Sequence, residues 1–234
     1  MEEKTLKTSW KQRVAIIIVA VLLLGSVVLT YMLVVLSGNS SSDTSSEAQI
    51  AELTEEYQQK SEEIEAAAKP LSDKYFDDFV KYKSEVKSYN SANANAAGLE
   101  TKDLKEGTGR TLAEGDTDYA AYYIGWCADG SIFDSSFNDN EDPTSLKAPL
   151  DAGIGLIEGW NQGVIGMKLG GVRQISMSGA LAYGDTQEIC GGTNSPLKFV
   201  VFAMEPDAKI KALNEELDDI YMRLYYAYAG GSNL

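Results

Sequence analysis

The chain has 234 residues, no histidine, two cysteines and a formal net charge of −15. Without histidine, Ser/His/Asp and Cys/His nucleophile systems and the usual histidine zinc sites are excluded, and two cysteines cannot form a four-thiolate site. The acidity argues against a nucleic acid or an anionic membrane surface as a partner held by bulk electrostatics, and it favours solubility.

Lys4, Lys7, Lys11 and Arg13 form a basic tail, residues 1–13, ahead of an uncharged apolar run over residues 14–36. The run is long enough to cross a bilayer as a helix, and the basic flank predicts that this end stays cytoplasmic. The competing reading is a cleaved signal peptide, for which Val35 and Ser37 make a passable cleavage context. Its apolar core would normally be shorter. The reading adopted is a single-pass anchor in the cell membrane, with everything after it extracytoplasmic.

Residues 37–46, rich in Ser, read as a flexible linker. Ser46 and Gln49 fit a capping box, and Ile50, Leu53, Tyr57 and Ile64 follow at helical spacing. Pro70 is expected to end that helix or start the next, whose stripe is Tyr75, Phe79, Tyr82, Val86 and Tyr89. Asn90–Gly98 reads as a second linker, so residues 47–97 form a helical stalk and linker. At the other end, residues 207–234 carry a third stripe, Ile210, Leu213, Leu217, Ile220 and Leu224, closed by Gly230 and Gly231. These helices either pack on one another and on the domain or make a dimerising coiled coil.

Between them the texture changes. Tyr119–Trp126, Gln174–Met177 and Leu197–Met204 read as strands, and Asp129-Gly130 signals a hairpin. One short helix is expected around Trp160. This is an α+β domain over residues 98–206, large enough for its own core. "DAGIG" lacks the third glycine of a dinucleotide loop, and "NDNEDP" lacks the EF-hand pattern, so neither a cofactor nor a metal is expected. Cys127 and Cys190 are two buried thiols or, as an even pair in an exported domain, a disulfide.

Five segments occur in order: "LKEGTGRTLAEGD", "YYIGWCADGSIFDSS", "LIEGWNQGVIGMKLGGVRQISMS", "ALAYG" and "LKFVVFAME". Together, over about Leu99 to Glu205, they closely resemble the FKBP-type peptidyl-prolyl isomerases. The resemblance implies a strongly twisted antiparallel sheet wrapped around one short helix, with an apolar pocket between them. It carries pocket roles to Tyr123, Phe133, Asp134, Leu156, Ile157, Trp160 as the floor, Tyr183 and Phe199. Catalysis would rest on Tyr123, Phe133, Asp134, the backbone N–H of Ile157 and Tyr183; Leu156, Trp160 and Phe199 would bind substrate. Asp134 would sit at the rim beside the two tyrosines; on the residues alone it would be read as capping a local turn. Both cysteines would border one side of the pocket.

The chain departs from the family pattern in three places. The "FNDNEDPTS" that follows "FDSS" has no Lys or Arg to pair with Asp134, the aromatic expected before "GW" has no match in "LKAPLDAGIG", and "CGGTNSP" replaces an Ile-Pro stretch. Weaker binding of the macrolides that family members recognise is expected. The implied function is isomerisation of X-Pro bonds in exported polypeptide clients; a chaperone or adaptor module with little activity is the alternative. A homodimer through the helical segments is a further expectation.

Overall fold

The computed structural model describes residues 44–152 and 155–228. The 14–36 run therefore lies outside the described residues; among those described, no helix is long and apolar enough to cross a membrane. Among the described residues six strands form one antiparallel sheet: β1 (Leu99–Lys105), β2 (Ala120–Trp126), β3 (Ile132–Ser135), β4 (Leu150–Asp151), β5 (Val172–Met177) and β6 (Leu197–Met204). Their order is β1-β5-β6-β2-β3, with β4 pairing β2. The sequence expectation missed β1. Most of its side chains are exposed, so no apolar alternation marks it, and its charges protect an open edge.

Strand alternation sends residues to two cores. On the inner face Ala121, Phe199, Val201, Ala203, Ile175 and Met177 are buried with Trp160. On the outer face Tyr122, Ile124, Trp126, Val200 and Phe202 are buried with Phe79. A sheet covered on both sides explains why β2 reads as continuously apolar.

The outer cover comes from helix α1 (Thr44–Phe79) and the 3₁₀ turn that follows it (Val80–Glu85). Here the structure corrects the sequence in three ways. First, α1 begins before Ser46, which lies in the first turn, where amides have no intrahelical acceptor to lose. Second, Pro70 lies inside α1. It deprives the Ala66 carbonyl of its partner at a cost of about 3 kcal/mol. Ala66 and Pro70 are both on the exposed side. The helix is held on either side of Pro70, by Ile64 and Ala68 in one cluster and by Tyr75 and Phe79 in another. Third, Val86 and Tyr89 keep their apolar contacts without being helical. The backbone there bonds elsewhere: Trp126 Nε1 donates to the Lys87 carbonyl (3.1 Å), and the Tyr89 amide donates to the Ala128 carbonyl (2.8 Å).

The expected linker at Asn90–Gly98 contains a helix, α2 (Ser91–Ala97). Asn90 caps it by accepting from the Asn93 amide at 2.9 Å, and Gly98 ends it at φ +77°. A low-complexity run of Asn and Ala reads as linker, but Ala is the best helix former and Asn a good cap. The helix is also anchored: Asn95 accepts from the Gly179 amide (2.8 Å).

Helix α4 (Ala208–Tyr228) runs antiparallel to α1, with Lys60 paired to Glu216 (2.7 Å) and Arg223 to Glu56 (3.1 Å). Ile210, Leu213 and Leu217 pack with Ile64, Ala68 and Leu71. The first half of the C-terminal stripe is thus packed on α1 of the same chain.

Cys127 and Cys190 form a disulfide, with Cα atoms 5.5 Å apart and a sequence separation of 63. It joins the Asp129-Gly130 hairpin turn to the loop after Tyr183. The unreduced protein should be lighter than the reduced one by two hydrogens and yield a linked peptide pair. Replacing both cysteines by alanine should lower unfolding free energy by about 2–4 kcal/mol, checked by urea denaturation. Two freely alkylated thiols in the purified protein would contradict this.

Candidate active site

The inner face carries the short helix α3 (Glu158–Gly163). Its glycines are what bring it close. A methyl group built on Gly159 would fall 2.6 Å from the Met177 sulfur, and one on Gly163 2.6 Å from Ile175. Arg173, 7% exposed, secures the helix end. Its guanidinium donates to the carbonyls of Gly163 (3.0 Å) and Ile165 (2.9 Å) and pairs with Asp103 (2.6 Å). That pairing holds the Asp103 carboxyl below the usual carboxylate range.

α3 therefore presents Trp160, 3% exposed, to a ring cluster. Tyr123 lies 5.7 Å from it at an interplanar angle of 84°, and Phe199 lies 5.4 Å away at 77°. Phe133 stands edge-on to Phe199 at 5.7 Å and 86°. Such perpendicular contacts suit aromatic quadrupoles. Gly125 leaves the room for them: a Cβ there would meet Phe199 at 2.7 Å and Phe133 at 2.9 Å. Leu156, Ile157 and Tyr183 pack against the same cluster, partly buried. Ile157 precedes α3 in extended conformation, and its carbonyl accepts from the Trp160 and Asn161 amides.

The polar rim is compact. The Tyr123 hydroxyl donates to Asp134 Oδ2 at 2.5 Å. Burial first, then the Asp134 charge and that hydrogen bond, push the Tyr123 hydroxyl well above its ordinary range. Burial, with the Asp134 charge second, pushes Tyr183 up to about 12. Both hydroxyls therefore remain protonated far above neutrality, and that of Tyr123 donates to the Asp134 carboxyl. A separate cavity of about 1050 Å³ lies on the outer face, between α1 and the sheet, lined by Tyr75, Phe79, Tyr82, Phe202 and Lys105 among others. It contains none of the residues of the ring cluster or its polar rim.

Residues 109–204 match the family described as FKBP-type peptidyl-prolyl cis-trans isomerase. An FK506-binding protein of Streptomyces anulatus is 38% identical over 110 residues, which is 47% of this chain and 84% of that protein. The chain belongs to the FKBP-type peptidyl-prolyl cis-trans isomerase family. An FK506-binding protein of Neisseria meningitidis serogroup B is 34% identical over 46% of this chain and 93% of its own. The peptidyl-prolyl cis-trans isomerase Mip of Chlamydia trachomatis serovar D is 39% identical over 46% of this chain and 40% of its own.

Within this FKBP-type domain all eight residues singled out from the sequence converge on one face of the sheet. Several neighbours were not foreseen. Ser136 Oγ accepts from the Tyr123 amide (2.9 Å), fixing that strand against β3. Ile189, in the loop without the family's Ile-Pro stretch, packs on the inner cluster beside Cys190, whose place at the pocket was expected. Tyr119 accepts the Trp160 indole N–H. A signal for Tyr119 was present: it precedes Ala121 and Tyr123 at period two, on the same face.

Proposed function

We propose that the pocket catalyses cis–trans isomerisation of X-Pro bonds in exported polypeptides, with the chain anchored by residues 14–36 and the domain outside the cytoplasm. The observation that carries the catalytic reading is the apolar box of Phe133, Trp160 and Phe199 with the Tyr123–Asp134 pair at its rim. The amide barrier is roughly 18–20 kcal/mol because of resonance, and uncatalysed X-Pro exchange takes tens of seconds or more. The planar amide is more polar than the twisted one, so a water-poor apolar pocket lowers the barrier by favouring the twisted form. The Ile157 N–H would hold the substrate carbonyl ahead of α3, and the Tyr183 hydroxyl would contact it. No proton is transferred. The disulfide and the basic flank of the apolar run support the extracytoplasmic placement.

The test is catalysed isomerisation of a Xaa-Pro peptide by the full chain across pH. The rate should be flat between roughly pH 6 and 9, since neither tyrosine titrates there. On the alkaline side, stability should fall as pH rises from about 10 toward 12. There the unfolded tyrosines ionise while Tyr183, at about 12, is still neutral in the fold. A steep step near neutrality would contradict the mechanism. An inactive chain that binds unfolded protein would favour the chaperone reading. Protease added to spheroplasts should digest the domain; recovery only in the soluble cytosolic fraction would refute the anchored placement.

A further inference from the structure

We propose that Tyr119 is a positioning residue for the isomerisation: by accepting the Trp160 indole N–H it fixes the rotation of the pocket floor and keeps the indole's polar edge away from the substrate proline. The inference rests on the reading of Trp160 as that floor. An indole N–H is a donor that needs a partner when buried. Trp160 is 3% exposed and Tyr119 1%, and the Nε1–Oη distance is 2.9 Å. The bond is therefore shielded from water, which cannot substitute for the missing oxygen if it is removed.

The partner is itself held. The Ala152 amide donates to the Tyr119 carbonyl at 3.1 Å, tying this residue to the end of β4. Its side chain lies in the inner core with Leu112, Val164 and Met167, beneath the floor. Burial, opposed by the Trp160 hydrogen bond, pushes its hydroxyl up to about 12, so it remains neutral wherever the enzyme works. From the other side, Tyr123 and Phe199 grip the indole nearly perpendicular to their own rings. Three groups thus define one orientation of the ring. Tyr119 alone acts on its single polar atom. An apolar floor requires the N–H to be satisfied below the surface that the proline meets, and Tyr119 does this.

Tyr119→Phe removes one oxygen and keeps the ring, so the fold should survive by circular dichroism. In the full chain, the Trp160 indole ¹H–¹⁵N resonance, assigned by its absence in Trp160→Leu, should move and exchange faster. The Trp126 indole, bonded to the Lys87 carbonyl, serves as the internal control and should not change. The value of kcat/KM for a Xaa-Pro peptide should fall about five- to tenfold, the size of one lost buried hydrogen bond. The same substitution in a Trp160→Leu background should cost nothing further, because its effect passes through the indole. An unmoved Trp160 resonance, unchanged kcat/KM, or an equal loss in both backgrounds would overturn the role of Tyr119 while leaving the floor in place. Full activity of Trp160→Leu would overturn the floor reading, and this proposal with it.

Discussion

A fragment beginning at Leu99 and ending at Pro206 should be insoluble or largely unfolded, whereas one spanning residues 44–234 should fold cooperatively. The reason is the outer face. Tyr122, Ile124 and Val200 are 0% exposed and Trp126 1%. The residues packed against them and their neighbours include Leu71, Tyr75, Phe76, Phe79, Val80, Tyr82, Val86 and Tyr89, all upstream of Leu99. Burying one such side chain is worth about 1.5–3 kcal/mol, so losing several approaches the total stability of about 5–15 kcal/mol. Polar ties go too: Tyr89 donates to the Pro196 carbonyl (2.8 Å), and Ser72 accepts from the Leu146 amide (2.8 Å). Urea denaturation followed by tryptophan fluorescence decides it; equal midpoints for the two fragments would show that α1 is a mere spacer.

Substitutions in the pocket should grade by what each side chain supplies. Trp160→Ala removes the floor and should reduce kcat/KM by at least about 100-fold, with roughly 3–5 kcal/mol of stability lost to the cavity. Phe133→Ala removes a wall at the half-buried mouth, so activity should fall with a smaller loss of stability. Tyr183→Phe should fold normally and lose activity modestly. Asp134→Asn should keep most activity, because an amide oxygen can still accept from the Tyr123 hydroxyl. The measurement is catalysed isomerisation of a Xaa-Pro peptide by each variant, alongside thermal unfolding. Complete loss in a well-folded Asp134→Asn protein would establish proton transfer and overturn the desolvation mechanism.

The site was more legible in the sequence than its surroundings. Tyr123, Phe133, Asp134, Trp160, Tyr183 and Phe199 lie in short motifs whose order is unmistakable, so their convergence could be expected. Tertiary contacts explain the elements that local signals misplaced. Pro70 carries a strong local signal to stop a helix, and packing on both sides overrode it. Asn90–Gly98 looks like linker because its composition is simple, yet a cap, alanines and a bond from Gly179 to Asn95 make it helical. The apolar stripes of α1 and α4 could equally have faced a second chain, since periodicity records that a face is buried and not what buries it. Tyr119 escaped notice because its hydroxyl matters only once Trp160 is seen to point at it.

The antiparallel pairing of α1 with α4 has a mechanical consequence. A lone helix is a compliant tether, whereas two helices locked by Ile64, Ala68 and Ile210, with ion pairs at Glu56 and Lys60, make a strut. α1 has 36 residues, so at about 1.5 Å per residue it spans roughly 54 Å. With the anchor as proposed, this strut, with the short linker ahead of it, would hold the catalytic face off the bilayer. Because α1 grips the back of the sheet, that face looks away from its own support. A nascent chain could then be engaged at a distance from the lipid without steering around the arm that carries the enzyme.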